Sequence, residues 1–296
     1  MKSTVSIIIP NYNHAKFLQQ RLDTVFNQTF QDFEVILLDD ASTDGSANLL
    51  KSYENHPKVS CVVINTENSG SPFRQWKKGI DLAKGDYIWI AESDDYCELN
   101  FLEELLPLFD QENVVLAYSA SVVINNQGIL KGRHKWADDL DKKRWQTDFF
   151  NNGLKEIKNY LRFRNTITNA SAVLIKRETV EFLPFPYSMS FCGDWYVWIE
   201  ILKQGNVAYT GKLLNYFRRH DASTKFSKTF EKEKQRMGEY MDIFLANSSL
   251  FTRLLNSNKY SWVSSEWKTK KDNFPNKSIS DLELPTDFLW LFNVKK

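Results

Sequence analysis

Four short runs in the first hundred residues limit the fold more than any other feature of the chain: residues 5–9 (VSIII), 33–38 (FEVILL), 59–64 (VSCVVI) and 86–91 (DYIWIA). Each is rich in β-branched or aromatic residues and has no alternating polar face, the pattern of a strand buried on both sides. Helical spacing separates them. Phe17, Leu18, Leu22, Val25 and Phe26 mark a helix over 15–28, and further helices are expected over 47–53 and 73–83. Ser42-Thr43-Asp44-Gly45-Ser46 supplies a turn and a helix cap. Strands alternating with helices imply a mostly parallel sheet covered on both faces, with ligands collecting beyond the carboxyl ends of its strands. The polar clusters sit at those ends: Pro10–Asn13 (PNYN), residues 39–44 (DDASTD) and residues 92–95 (ESDD).

Beyond residue 100 the pattern thins. Residues 114–124 read as a strand or strand pair, 172–175 and 206–209 as short strands, and 194–204 as a helix. Residues 131–165 are charged and aromatic without a period, and read as a long loop or an insertion on an acceptor side. Residues 228–256 read as one or two amphipathic helices, and the last 35 or so receive no assignment. The 296 residues and 42% hydrophobic content are enough for one large core, or for one domain with an appendage. Cys61, Cys97 and Cys192 show no paired spacing, which fits a reducing compartment. The amino terminus runs straight into a strand, without the pattern of a signal peptide. No apolar run approaches a membrane span. The expectation is a cytoplasmic protein, compatible with peripheral association at the inner face of a membrane.

Charge is unevenly spread. Residues 1–140 carry 12 Lys/Arg against 20 Asp/Glu, a net of −8, and residues 141–236 carry 18 against 10, a net of +8. An acidic first half suits a metal and a basic middle suits an anionic partner, although solvated faces produce the same counts. The whole-chain net of +1 argues against nucleic-acid binding. In ESDD, alternating carboxylates at a strand end can reach one hard cation, Mn²⁺ or Mg²⁺, completed by phosphate oxygens and water. Asp95 also stands where a helix cap would, just ahead of helix-like 99–106. Asp39 and Asp40 close a buried strand, where charge is costly unless it is used. No His/Cys pattern supports zinc.

The motifs IPNYN (9–13), VILLDDASTDGS (35–46), Asn68-x-Gly70 with Arg74, GDYIWIAESDD (85–95), Gly193-Asp194-Trp195 and FRRHDAST (217–224) together resemble family 2 glycosyltransferases of the GT-A fold. The match runs in order from about residue 4 to 225. The resemblance implies a Rossmann-like α/β domain over 1–225, with a nucleotide-sugar-binding half (1–100), an acceptor half (101–225) and a mostly helical extension over 226–296. It implies inverting transfer from a nucleotide-diphosphate sugar, UDP-sugar favoured, to a glycan or lipid-linked acceptor in polysaccharide synthesis. By position, Pro10 and Tyr12 look like the base-binding turn, Asp39 like the residue on the base edge with Asp40 beside it, and Arg74 like the basic group near the diphosphate. Asp94 looks like the metal carboxylate, joined by Glu92 and His220, and Asp95 like a residue facing the sugar. Asp194 matches the general base, and Trp195 would flank an acceptor sugar. Two positions depart from the family pattern: Glu92 stands where Asp is usual, and Gly193 where Glu is usual. Arg218 and Arg219 fit either phosphate binding or a solvated loop.

Two other classes fit parts of this pattern. A nucleotidyltransferase would carry a glycine-rich basic loop after the first strand, and PNYNHAKF is not one. A non-catalytic nucleotide-sugar or glycan-binding module would tolerate loss of the base, yet Asp194 is present.

Overall fold

The computed structural model describes residues 3–219 and 229–292. The first unit runs β1 (Val5–Asn11), α1 (Ala15–Phe26), β2 (Phe33–Asp39), α2 (Ser46–Ser52), β3 (Val59–Ile64), α3 (Pro72–Leu82) and β4 (Tyr87–Ile90). β5 (Tyr96–Cys97), α4 (Phe101–Leu105), β6 (Val114–Asn125), β7 (Leu130–Arg133), β8 (Phe149–Asn151), α5 (Gly153–Glu156) and β9 (Val173–Lys176) follow. α6 (Gly193–Leu202), β10 (Asn206–Arg219), α7 (Phe230–Asn247), α8 (Leu250–Leu255) and α9 (Ser257–Lys271) complete the described chain.

The described strands form one sheet in the order β3-β2-β1-β4-β9-β6-β10-β5, with β7 on β6 and β8 on β10. β3, β2, β1 and β4 are parallel, as expected for the first hundred residues. The second half is mixed: β9 runs antiparallel between β4 and β6, whereas β6 and β10 are parallel. β1, β2, β4, β6 and β10 therefore all point the same way. Asn11 lies opposite Asp39, so the loops after the strands emerge along one edge.

Both faces are buried because successive side chains alternate across the sheet. Val5, Ile7, Ile9, Val35 and Leu37 pack with Leu18, Leu22 and Leu50 on one face. Ile8, Ile36 and Leu38 pack with Phe73, Trp76 and Trp198 on the other. The second core continues into the C-terminal helices, where Met237, Met241, Phe244, Tyr260, Val263 and Trp267 join it. The last 35 residues, unassigned from sequence, supply most of α9. No helix among the described residues is long and apolar enough to cross a membrane.

α3 can lie close to β1 because residue 79 is glycine: a β-carbon there would stand 2.3 Å from Ile8 Cγ2. Gly79→Ala is expected to overpack this seam and lower stability by about 1–3 kcal/mol. Chemical denaturation measures this directly, and an unchanged midpoint would show that the seam has slack.

Candidate active site

The edge formed by β1 and β2 is held by its own polar side chains. Asn11, fully within β1, donates from Nδ2 to Asp39 Oδ2 at 2.7 Å and to Ser46 Oγ at 2.8 Å. Asp39 Oδ1 accepts the Ser42 amide at 2.8 Å. Ala41 in this loop takes φ +61° and Asn13 φ +56°, left-handed values uncommon for residues other than glycine. Such strain is kept where surrounding bonds fix it, often at functional sites. Asp40 accepts Asn65 Nδ2 at 2.6 Å, the Ser69 amide at 2.9 Å and Gln75 Nε2 at 2.7 Å on Oδ1, and Ser69 Oγ at 2.8 Å on Oδ2. Pro10 is buried within β1, and Tyr12, at its end, is 47% exposed. Arg74 is exposed in the first turn of α3, with its guanidinium 5.0 Å from the Tyr187 ring centre.

The ESDD loop lies between two buried arginines. Arg21, fully buried on α1, donates from Nε to the Glu92 carbonyl at 2.9 Å. Arg218, at the end of β10, donates from its amide to Asp95 Oδ1 at 2.8 Å and from Nε to the Asp94 carbonyl at 2.7 Å. Its two Nη atoms reach the Asn125 carbonyl and Gln20 Oε1. Asp95 Oδ2 accepts Asn169 Nδ2 at 2.9 Å. Glu92 Oε1 accepts Trp76 Nε1 at 2.8 Å. This bond accounts for the longer carboxylate at position 92, since its extra methylene extends it toward the indole of α3. Burial pushes Glu92 up to about 8, and the Asp94 charge acts in the same direction. Burial and then Asp94 likewise push Asp95 up to about 6. Among the described residues no group of three or more His, Cys, Asp or Glu could hold an ion alone. Half-buried Asp94 fits the other way such cations bind, through one or two carboxylates plus substrate phosphates and water.

Asp194 stands in the first turn of α6, half-buried. Its Oδ2 accepts Asn165 Nδ2 at 3.0 Å and its Oδ1 the Trp195 amide at 2.7 Å. A β-carbon at Gly193 would stand 2.3 Å from the Phe73 ring, so α6 meets α3 here without room for a side chain. That contact explains glycine at this position. Phe73 packs edge-on to Trp76, the residue bonded to Glu92, and Trp76 also packs on Trp198. A continuous chain of contacts thus joins Asp194 to the acidic loop.

Four expectations need correction, and a fifth falls outside the described residues. Trp195 is 1% exposed, bonds the Leu161 carbonyl through Nε1 at 2.7 Å, and packs on Tyr240 and Phe244 of α7. It is a core residue that an acceptor sugar does not reach. Asp95 has both oxygens bound within the protein, so it secures β10 to the loop instead of facing a sugar. Asp39 is fully buried, with its oxygens bound by Asn11 and Ser42, so it has no surface to offer a base edge. Arg218 is 3% exposed and serves the ESDD loop, not a solvated surface. His220 lies outside the described residues.

The structure also brings in residues that sequence reasoning passed over. His14 Nδ1 lies 2.8 Å from Ser93 Oγ, linking the first turn to ESDD. Arg21 had a readable signal, a charge inside the apolar stripe formed by Phe17, Leu18, Leu22 and Val25. Asn165 and Asn169, which bond Asp194 and Asp95, lie in a segment with no period to mark them.

Residues 6–178 match the family described as Glycosyl transferase family 2. The chain belongs to this family. A Bacillus subtilis protein named as a candidate teichuronic acid biosynthesis glycosyltransferase, TuaG, is 27% identical over 208 residues, 70% of this chain and 75% of its own. Other curated glycosyltransferases are matched over only 40% or 21% of their own length. Among solved structures, Staphylococcus aureus TarS in complex with UDP-GlcNAc superposes with a TM-score of 0.64 at 17% identity, over 98% of this chain and 78% of that one. The mannosyltransferase PcManGT from Pyrobaculum calidifontis, with GDP-Man and Mn²⁺, superposes with a TM-score of 0.58 at 14% identity, over 99% of this chain and 84% of that one. These likenesses establish the GT-A fold, and family 2 membership makes the chain a glycosyltransferase.

For this family 2 enzyme, Trp195→Ala is expected to cost about 3–5 kcal/mol of stability through loss of a buried ring. Thermal melting measures it. An unchanged melting point with a raised acceptor KM would return Trp195 to the acceptor face.

Proposed function

We propose that the protein transfers a sugar, with inversion, from a nucleoside-diphosphate sugar to a hydroxyl of a surface-polysaccharide acceptor, glycan or lipid-linked. A UDP-sugar is the favoured donor. The observation that carries this reading is the run of contacts that joins the start of α6, where Asp194 stands, to the acidic loop: Gly193 on Phe73, Phe73 on Trp76, and Trp76 bonded to Glu92. The relative named for teichuronic acid biosynthesis supports the acceptor class, and the UDP-GlcNAc complex of the structural neighbour supports the donor class.

In this reading Tyr12 stacks on the nucleobase from the end of β1, above the turn that Pro10 stiffens. Asp40, whose carboxylate accepts from Asn65, Ser69 and Gln75, orders the 65–75 segment beside the base. Asp39 works from beneath by fixing the loop. Arg74, at the first turn of α3, binds the diphosphate through charge-assisted hydrogen bonds. A Mn²⁺ or Mg²⁺ held by Asp94, with Glu92 beside it, would offset the negative charge that grows on the departing diphosphate. Asp194 takes the proton of the acceptor hydroxyl as that oxygen bonds to the anomeric carbon and the bond to the diphosphate breaks. The Asn165 amide and the Trp195 N–H aim the Asp194 carboxylate for this task. Protonation of Asp194 would end catalysis, because a carboxylic acid cannot act as base.

A thermal-shift panel of nucleoside diphosphates and their sugars, with Mn²⁺ or Mg²⁺, tests the donor reading. UDP with metal is expected to raise the melting point, by the equivalent of about 2.7 kcal/mol at a hundred times Kd. Asp94→Ala should abolish the metal-dependent part of that rise, and a panel without response overturns the reading. Asp194→Asn should keep the donor-induced rise and lower kcat by roughly 10²–10⁴-fold. Retained turnover in that variant removes Asp194 as the base.

A further inference from the structure

We propose that Glu239, on α7, is a positioning residue for glycosyl transfer: it holds in place the loop that presents Asp194. Its carboxylate accepts three successive main-chain amides, Ser190 on Oε1 and Phe191 and Cys192 on Oε2, each at 2.8 Å. Cys192 is the residue that opens α6, and Asp194 follows two positions later. Consecutive amides converging on one anion form a nest, and a carboxylate there also sits favourably at the positive end of the ten-residue helix α6. Bonds from amides to an ionised carboxylate are shorter and stronger than neutral ones.

The holding group is itself held. Gln235, one turn earlier on α7, donates from Nε2 to Glu239 Oε1 at 3.0 Å and to Ser190 Oγ at 3.1 Å. Arg236 on α7 pairs with Glu233 and with Glu266 on α9, which fixes the helix against its neighbour. Glu239 is 5% exposed, and its residue stands 47 to 49 positions away from the amides it binds. The Phe73 ring closes on Gly193, the residue after Cys192. The loop is therefore clamped between α3 and α7, and the direction in which Asp194 points depends on both. The C-terminal helices thereby take part in building the base.

This proposal rests on Asp194 being the base, and its test separates the two readings. The full chain carries Glu239→Gln, which keeps the size of the side chain but turns one acceptor oxygen into a donor facing amide donors. The expected result is a fall in kcat of about 10- to 100-fold with donor KM and metal-dependent donor binding unchanged, the cost of misplacing a reacting group by a fraction of an ångström to an ångström. The double variant Glu239→Gln/Asp194→Asn is expected to be no slower than Asp194→Asn alone, because a residue acting through the base adds nothing once the base is gone. A double variant that falls further shows a general structural role and overturns the proposal. Asp194→Asn inactive with Glu239→Gln at full kcat overturns the positioning role alone. Asp194→Asn at full turnover overturns the base reading, and the positioning role with it. Should Glu239→Gln fail to fold, Gln235→Ala removes only the steadying amide. It is expected to lower kcat by about 2- to 10-fold at constant donor KM, and no change there overturns the proposal.

Discussion

Burying negative charge at the ends of apolar strands is the constraint on which this structure turns. Asp39, Asp40 and Asp95 are each at least 95% buried. A carboxylate in that position is tolerated only with donors on its oxygens. The protein supplies them from distant parts of the chain: Asn11 and Ser42 for Asp39, the 65–75 segment for Asp40, and Asn169 with the Arg218 amide for Asp95. Each carboxylate thereby fastens two segments that the sheet alone would leave independent. Removing one partner would leave a buried charge short of donors, so each of these connections is strongly specified.

Arg218 shows how far this goes. It reaches the acidic loop from the end of β10, and its Nη atoms close on β6 and α1. One residue thus joins α1, the acidic loop, β6 and β10. Arg21 stands beneath the same loop with its ring-facing guanidinium 5.7 Å from Trp89. Two buried cations beside a cluster of carboxylates lower its electrostatic cost. Their geometry suits a site that is acidic at its surface and balanced below.

The parts of this design that were legible in the sequence were those set by local pattern. β1 to β4 were readable because a strand covered on both faces must be apolar throughout, and the polar clusters after them marked the functional edge. β7 and β8 were not, because they exist by pairing with β6 and β10 and carry little pattern of their own. α9 carries Tyr260, Val263 and Trp267 toward the core, but the Ser- and Lys-rich residues around them obscured the period. Trp195 misleads for a related reason: α6 is buried on nearly every side, so spacing does not separate a core tryptophan from one that faces a ligand. Asp39 and Asp40 are adjacent in sequence and differ only in which neighbours enclose them, a tertiary fact. The two departures at Glu92 and Gly193 became intelligible only through Trp76 and Phe73.

The union of the C-terminal helices with the second core has a consequence in time. Chains emerge from synthesis amino-end first, and N-terminal units can fold before the rest is made. Here β1 to β4 lie within the first hundred residues, and Asn169 and Arg218 later secure the acidic loop. The loop before Asp194, by contrast, is anchored by α7, which follows all of these residues, and Trp195 packs against that same helix. A chain not yet extended through α7 would thus have its acidic loop held before the loop ahead of Asp194 is fixed. On the proposed reading of Asp194, this order of assembly places the acidic loop before the group that takes the acceptor proton.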